Sequence, residues 1–332
     1  MADPRRLWGI VLAGGEGVRL RPLVRRVLGE ERPKQYVKLL GPRSLLRQTL
    51  DRAALGISRH RTVVVSVRRH AAYITEEFTG VSDSPYVLLQ PEDRGTAAAI
   101  LYAVQWIAWR DPAAAIAVFP SDHFILGEAT FMAHVQEVAG TLERNPDRVV
   151  LLGGQPTSPE AEYGWIEPGP RAGDDDVVSA VRQFWEKPSD ARAQMCLSTG
   201  CLWNTAIVVA RARALLALGA RALPEMSGHL NDLGRFVDSD GEMAAIQHAY
   251  ALMPRASFSR SVLEPYPEHL GVARLPRLTW CDLGSPRRVL DVLTRMRVRP
   301  AWADLIDGSA SRVPVAAPAP ARVPTIRSAA SH

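Results

Sequence analysis

Short apolar runs alternate with longer amphipathic stretches over the first half of the chain. The apolar runs are bounded by Gly, Pro or charged residues and predict β-strands at residues 7–12, 62–67, 86–90, 115–119 and 149–153. Apolar residues at helical spacing predict helices at 44–55, 96–109 and 131–142. Strands that alternate with helices in this way predict an α/β fold, a Rossmann-like, mostly parallel mixed sheet flanked by helices.

Two of the predicted helices carry further signals. Ser44 stands directly before the apolar residues of 44–55 and suits an N-cap, while Gly56 follows as a stop. The stretch at 96–109 is apolar on more than one face. That pattern indicates a helix that is buried against the sheet.

The pattern in the second half of the chain is more mixed. It predicts strands at 177–185 and 205–210, helices at 211–218 and 242–251, and a solvated hairpin tip at 174–176. We expect one domain over residues 1–307, in which residues 154–295 continue the sheet begun by residues 1–153. Residues 308–332 are rich in Ala, Pro, Ser and Val and contain no acidic residue, so they are predicted to form a disordered tail.

The composition is that of an ordinary globular protein. Hydrophobic residues make up 47% of the 332 residues. No apolar run approaches the ~20 residues that cross a bilayer, and the N-terminus lacks the apolar core of a signal peptide. We therefore expect no membrane association and a cytoplasmic location. Cys196, Cys201 and Cys281 match no metal-binding spacing and are expected to be free thiols.

The formal net charge is +5, and basic residues crowd the first fifty positions. A basic surface of this kind suits either a nucleic acid or a small polyanion that is steered into a cleft. The sequence shows no helix-turn-helix, zinc-finger or RNA-binding signature. A small polyanion is therefore the favoured partner, and no nucleic acid is expected.

A glycine-rich loop directly follows the first predicted strand. Gly14, Gly15 and Gly17 leave the backbone bare, so its N–H groups can approach anionic oxygens, and Arg19 and Lys34 supply cations nearby. The loop lacks the Gly-Lys-Ser/Thr ending of a Walker loop and the third glycine of the dinucleotide pattern G-x-G-x-x-G. The pattern favours a triphosphate, with a plain chain reversal as the alternative that it leaves open.

The loop is the first of several motifs that follow one another along the chain. They are Gly14-Gly-Glu-Gly-Val-Arg-Leu-Arg-Pro-Leu23, Pro33-Lys-Gln35, Gln90-Pro-Glu-Asp-Arg-Gly-Thr-Ala-Ala-Ala-Ile100, Phe119-Pro-Ser-Asp-His-Phe-Ile125, Tyr163-Gly-Trp-Ile166, Phe184-Trp-Glu-Lys-Pro188, Leu202-Trp-Asn-Thr-Ala206 and Trp280-Cys-Asp-Leu-Gly-Ser285. The series resembles the signatures of the sugar-1-phosphate nucleotidylyltransferases. With Gln after Pro-Lys, the motif Pro33-Lys-Gln35 resembles that of the mannose-1-phosphate guanylyltransferase branch of the family.

The resemblance implies the nucleotide-diphospho-sugar transferase fold and a reaction. GTP and mannose 1-phosphate would give GDP-mannose and pyrophosphate by in-line displacement, without a covalent intermediate and with Mg²⁺ as cofactor. The nucleophile is already an anion, so positioning and cations can carry the catalysis without a general base. Residues 1–153 would bind the nucleotide and residues 154–295 the sugar phosphate; a homo-oligomer is left open.

The resemblance also implies roles for individual residues. Arg19 is expected to hold the β- and γ-phosphates, Lys34 to neutralise charge at the α-phosphate, and Lys187 to grip the sugar phosphate. Asp122 and Asp282 are the expected Mg²⁺ ligands, since Mg²⁺ takes one or two carboxylates together with phosphate oxygens. Further nucleotide contacts are expected from Leu12, Ala13, Gly14, Gly15, Gly17, Gln90, Arg94 and Thr96, and further sugar-phosphate contacts from Gly164, Glu186 and Asn204.

Three positions depart from the family pattern. Gly95 stands in place of the usual Asn, Ala206 in place of a Gly, and Pro265 in place of a Lys. These changes leave two alternatives open: a nucleotidylyltransferase for another NTP and hexose 1-phosphate, or a catalytically weak regulatory paralogue that binds a sugar nucleotide. Retention of the phosphate-binding cations and of both expected metal ligands favours the enzyme.

Overall fold

The structure, a computed structural model, describes residues 7–171, 177–237, 239–300 and 302. The hairpin tip predicted at 174–176 and the tail predicted at 308–332 lie outside these described residues. Within them, no helix is both long enough and apolar enough to cross a membrane.

Strands from both parts of the chain join in one central sheet. The strands are β1 (Leu7–Leu12), β2 (Thr62–Val67), β3 (Tyr86–Gln90), β4 (Ala115–Pro120), β5 (Phe124–Leu126), β6 (Val149–Gly154), β7 (Gly164–Arg171), β8 (Val178–Glu186), β9 (Leu202–Arg211), β10 (Leu270–Arg274) and β11 (Thr279–Cys281). Within the described ranges, nine of them form a sheet of order β3-β2-β1-β4-β9-β6-β10-β8-β7, and β5 pairs with β11.

Helices cover both faces of this sheet. They are α1 (Arg21–Leu28), α2 (Leu45–Ala53), α3 (Ala71–Phe78), α4 (Gly95–Arg110), α5 (Glu128–Thr141), α6 (Asp190–Ser198), α7 (Ala212–Ala222), α8 (Pro224–Asp232), α9 (Glu242–Leu252) and α10 (Pro286–Met296). One apolar core joins the sheet to α4, α7, α8 and α9, with Trp106 and Tyr250 fully buried in it. A second core joins the other face to α2 and α5 around Phe131.

The expected α/β class is confirmed, and most predicted elements lie within a residue or two of their observed bounds. The Ser44 side chain accepts a hydrogen bond from the backbone N–H of Arg47, as its predicted N-cap role requires. Two elements, α5 at Glu128 and β9 at Leu202, begin three residues earlier than predicted, and α7 ends four residues later, at Ala222. The start of β9 was not predicted because a bulge, where its register with β6 shifts, interrupts the alternation of buried and exposed residues along the strand.

The direction of the strands gathers the motif-bearing loops of the sequence at one edge. Strands β1, β2, β3 and β4 run parallel, and β9 lies antiparallel between β4 and β6, so β6 and β10 share the direction of β4. The glycine-rich loop after β1, Gln90 at the end of β3 and Asp122 after β4 therefore lie at the carboxyl edge of the sheet. Ligands of open α/β sheets bind at this edge.

Candidate active site

The glycine-rich loop is held by the segment that follows it. Gln35 Nε2 donates to the carbonyl oxygens of Ala13 (2.9 Å) and Gly15 (2.8 Å), and the Tyr36 hydroxyl donates to Ala13 (2.9 Å). Gly15 is exposed, and a Cβ there would meet open space. The loop thus has a fixed shape and a bare backbone that a polyanion can approach.

Gly17 packs against Lys34. Its φ of +60° lies in the left-handed region, and a Cβ at Gly17 would be only 3.1 Å from the backbone N and the Cγ of Lys34. A side chain would therefore be strained and would push the two segments apart. The glycine allows the loop to lie directly on the lysine.

Lys34 joins the loop to two distant parts of the chain. The side chain is buried, and Nζ donates to the carbonyl oxygens of Asp282 (2.9 Å) and Leu283 (3.3 Å). Nζ also forms an ion pair with Asp122 Oδ2 at 3.1 Å. The structure thus brings together Lys34, Asp122 and Asp282, which are far apart in the sequence.

The carboxylate of Asp282 is buried among hydrogen-bond donors. Oδ1 accepts from the Tyr163 hydroxyl (2.8 Å), the Gly284 N–H (3.0 Å) and Arg288 Nη1 (2.9 Å), and Oδ2 lies 3.1 Å from the same Arg288 nitrogen. Burial acts to raise the pKa of Asp282, but His123, Arg288 and the Tyr163 hydrogen bond outweigh it and lower the pKa. Asp282 is therefore an anion at neutral pH.

Arg19 connects the loop to this carboxylate. Its guanidinium forms an ion pair with Glu162, and Nη2 lies 3.6 Å from Asp282 Oδ2. About half of the Arg19 side chain is exposed. The side chain lies next to the loop, as the sequence indicated, and its role on the phosphates stays a prediction.

His123 is fixed beside Asp122. Trp280 Nε1 donates to His123 Nδ1 at 3.3 Å, and burial lowers the pKa of the imidazole. Nδ1 of His123 is therefore occupied as an acceptor, and the ring is held between Trp280 and Asp122.

Gln90 lies beside the glycine-rich loop, with Nε2 3.5 Å from the place of a Cβ on Gly14. Its amide is already engaged at both ends: Nε2 donates to Ser66 O (3.3 Å), and Oε1 accepts from the Tyr250 hydroxyl (3.2 Å). Gln90 therefore positions the segment that follows it, and its expected contact with the nucleotide stays a prediction.

Arg94 and Thr96 tie that segment to the second half of the chain. Arg94 Nε donates to the Tyr250 carbonyl (2.8 Å), and Thr96 Oγ1 accepts from the Phe258 N–H (2.9 Å). Between them, Gly95 has a φ of +85°, and a Cβ there would lie 2.2 Å from the Ala256 carbonyl oxygen. The departure at Gly95 thus has a steric reason in this fold, because the Asn usual in the family would clash.

The expected sugar-side residues also come together. A Cβ on Gly164 would lie 2.9 Å from Glu186 Oε2 and 3.0 Å from Asn204 Cβ. Burial raises the pKa of Glu186, which adjoins the exposed Lys187. Ala206, the second departure, has a φ of +56° in the bulge of β9, and its N–H donates to Asn204 Oδ1 (3.0 Å). The bulge therefore orients the Asn204 amide.

A cavity of about 1380 Å³ lies against the other face of these strands. Successive strand residues point to opposite faces, so Tyr163 and Trp203 face away from Gly164 and Asn204. Tyr163, Trp203 and Trp280 line the cavity together with Arg288. Tyr163 thus links the two sides, because its hydroxyl reaches Asp282 while its chain neighbour, Gly164, lies on the sugar side.

Sequence reasoning assigned no role to several residues that shape this site. Tyr163 could have been identified from the motif Tyr163-Gly-Trp-Ile166, which it begins. Glu160, Glu162 and Arg288 carried no local signal, because an acidic or basic residue in a loop or a helix is usually solvated. Pro265, the third departure, is exposed, while its neighbour Glu264 accepts a hydrogen bond from the Glu186 N–H (2.9 Å).

The expected metal ligands, Asp122 and Asp282, are two carboxylates. Among the described residues, no group of three or more His, Cys, Asp or Glu side chains is arranged to hold a metal ion. Asp122 Oδ2 and the Asp282 carbonyl oxygen both contact the Lys34 ammonium. Oxygen atoms from two distant segments thus surround one positive charge. Two carboxylates fit Mg²⁺, which takes its other ligands from phosphates and water.

Comparison with known proteins identifies the family of the chain. Residues 8–297 match the family model described as nucleotidyl transferase. The xanthan biosynthesis protein XanB of Xanthomonas campestris pv. campestris (strain B100) is 32% identical over 286 residues, which cover 85% of this chain and 58% of that protein. A mannose-1-phosphate guanylyltransferase of Sinorhizobium fredii (strain NBRC 101917 / NGR234) is 30% identical over 290 residues, which cover 83% of this chain and 52% of that protein.

A solved structure is similar as well. It is described as a mannose-1-phosphate geranyltransferase from Thermus thermophilus, and it superposes with a TM-score of 0.74 at 30% identity, covering 89% of this chain and 80% of that one. The chain spans just over half the length of the two curated relatives. Because the family model matches most of its residues, the chain belongs to the nucleotidyl transferase family.

Proposed function

We propose that this protein transfers a guanylyl group from GTP to mannose 1-phosphate and releases pyrophosphate. The observation that carries the proposal is the position of Lys34. The backbone and Cγ of Lys34 lie against Gly17 of the glycine-rich loop, and its buried ammonium contacts the Asp122 carboxylate and the backbone of Asp282. A polyphosphate on the loop would therefore lie beside a fixed cation that is paired with Asp122 and bound to the Asp282 backbone.

The chemistry needs few protein groups. A phosphate oxygen of the sugar phosphate attacks the α-phosphorus of the nucleotide, the bond from that phosphorus to the bridging oxygen breaks, and pyrophosphate leaves. The nucleophile is already deprotonated, so the protein has to bring two polyanions together and stabilise negative charge on the leaving group. Lys34 would act at the α-phosphorus, and Arg19 would exchange Glu162 for the departing phosphates.

We assign the two substrates to the two expected halves of the chain. Residues 1–153 would bind the nucleotide through the glycine-rich loop and the segment from Gln90 to Thr96. Residues 154–295 would bind the sugar phosphate, with hydroxyls on Glu186 and Asn204 and the phosphate on Lys187. The adjacency of Gly164, Glu186 and Asn204 supports this assignment.

A divalent cation completes the proposed machinery. Asp122 and Asp282 would hold Mg²⁺. Bound there, the ion would neutralise phosphate charge and orient the two substrates. The protein's own contribution is to fix both carboxylates, Asp122 through its ion pair with Lys34 and Asp282 through the donors around it.

The choice of GTP and mannose 1-phosphate rests on the relatives named as mannose-1-phosphate guanylyltransferases. A matrix of the common NTPs against hexose 1-phosphates, with pyrophosphate release as the readout, tests it. We expect the highest rate for GTP with mannose 1-phosphate, and no rate without Mg²⁺. A different best pair would identify a nucleotidylyltransferase of other specificity. If no pair released pyrophosphate and GDP-mannose bound tightly, the protein would be a regulatory paralogue and the proposed enzymatic activity would be refuted.

A further inference from the structure

Arg288 clamps the Asp282 carboxylate. It lies in the first turn of α10, and its Nη1 donates to both Asp282 oxygens, at 2.9 and 3.1 Å. Its Nη2 pairs with Glu160 at 2.5 Å, and its guanidinium carbon lies 4.5 Å from the centre of the Tyr163 ring. These contacts fix a side chain that is only 15% exposed.

Two guanidinium groups converge on Asp282 Oδ2. A Cβ on Gly284 would lie 2.3 Å from that oxygen, 2.8 Å from Arg288 Nη1 and 2.9 Å from Arg19 Nη2. Only glycine fits between these three groups. The free carboxylate is therefore already neutralised by cations that belong to the chain itself.

The charges around the proposed metal site argue against binding of a free divalent cation. Arg19 and Arg288 each have a second acidic partner, Glu162 and Glu160, but both guanidinium groups also contact the Asp282 carboxylate directly. A divalent cation at Asp282 would add two positive charges within a few ångströms of the largely buried Arg288 guanidinium, where repulsion is poorly screened. Oδ1 is also filled by three donors.

We propose that Arg288 is a built-in counter-ion that competes with divalent cations for Asp282. In the protein without nucleotide it keeps the carboxylate oriented and closed to free metal. The negative charge of a bound triphosphate then compensates Arg288 and lets the metal enter with the nucleotide. The inference rests on the proposed function, since it takes Asp282 as a metal ligand.

Binding of Mn²⁺ to the nucleotide-free protein tests the competition without turnover. The concentration of free Mn²⁺ is followed by its electron paramagnetic resonance signal. We expect Arg288→Met to bind Mn²⁺ about tenfold more tightly than the parent chain, a factor that one partly screened charge can supply. Arg288→Lys, which keeps the charge, should stay close to the parent. Arg287→Met removes an exposed charge from the same helix turn and should change little.

A second pair of variants keeps the inference testable if Arg288→Met does not fold. Glu160→Gln leaves Arg288 in place but removes its second acidic partner, so Mn²⁺ should bind more weakly than to the parent. Asp282→Asn should cancel any gain seen in Arg288→Met. Unchanged or weaker Mn²⁺ binding by folded Arg288→Met, or tighter binding by Glu160→Gln, overturns the proposal.

Failure of this inference can be told from failure of the proposed function. If the parent chain releases pyrophosphate while the Arg288 variants show no change in Mn²⁺ affinity, only the counter-ion role is lost. If no substrate pair turns over while Arg288→Met binds Mn²⁺ more tightly, the competition at Asp282 stands and the transferase proposal falls.

Discussion

Lys34 and Asp122 form a buried ion pair, with Nζ 3.1 Å from Oδ2, at the carboxyl edge of the central sheet. The same ammonium donates to the Asp282 and Leu283 carbonyls. One side chain thus holds together the glycine-rich loop, the turn after β4 and the turn after β11. Its position combines a structural role with the charge that the proposed reaction requires.

Replacing Lys34 with Met should therefore lower both activity and stability. We expect a rate of pyrophosphate release at least about a hundredfold lower, the size of effect seen when a single group that stabilises a transition state is removed. The melting temperature should also fall, because Asp122 and two backbone carbonyls lose a buried partner. Lys38→Met removes an exposed lysine from the same segment and is the control. A Lys34→Met protein with near-parental turnover would contradict the assignment.

The sequence allowed the fold to be predicted where the hydrophobic period was regular, as it is in β1, β2, β4 and α4. Lys34, Asp122 and Asp282 stood in recognisable motifs, and the structure brings these three residues together; their catalytic roles stay predictions. The sequence could not indicate which groups hold Asp282, because Tyr163 and Arg288 reach that carboxylate through contacts between segments that only the tertiary fold brings together. The sequence likewise could not explain why residue 95 is glycine, because the Ala256 carbonyl that excludes a side chain there is distant along the chain.

Gly95 offers a test of that steric reason. Gly95→Ala should destabilise the protein by about 2 kcal/mol or more, since left-handed backbone strain adds to a clash with the Ala256 carbonyl. Gly80 has a similar φ of +74° but open space around its Cβ position. Gly80→Ala should therefore cost only the backbone strain, roughly 1 kcal/mol. Equal losses for the two variants in thermal or urea unfolding would contradict the clash.

Ala206 should respond in the opposite direction. Its φ of +56° places a Cβ in the left-handed region, so Ala206→Gly should stabilise the protein by about 1 kcal/mol and raise the melting temperature by roughly 2 °C. The Asn204–Ala206 hydrogen bond uses the backbone N–H and survives the change. Ala244→Gly, on the exposed face of α9, should instead destabilise by about 1 kcal/mol. A lower melting temperature for Ala206→Gly would show that the bulge favours alanine for another reason.

Glu186 should make stability depend on pH. Burial raises its pKa in the folded protein above the value of the unfolded chain, and Lys187 and Arg260 offset this only in part. The ionised carboxylate therefore opposes folding. The contribution of Glu186 to the free energy of unfolding is fully present below about pH 4.3, its pKa in the unfolded chain. This contribution is lost as the pH rises through the pKa of the folded protein.

Glu186→Gln, which cannot ionise, should consequently melt at a higher temperature than the parent at pH 7.5, and the gain should shrink towards pH 4. The same variant should lose activity, because the proposed sugar contact needs a carboxylate acceptor. Thermal melts across that pH range measure the first effect, and Glu268→Gln, on an exposed turn, is the control. A stability gain that is equal at pH 4 and pH 7.5 would mean that the change acts through packing, and that the ionised Glu186 carboxylate imposes no strain on the fold.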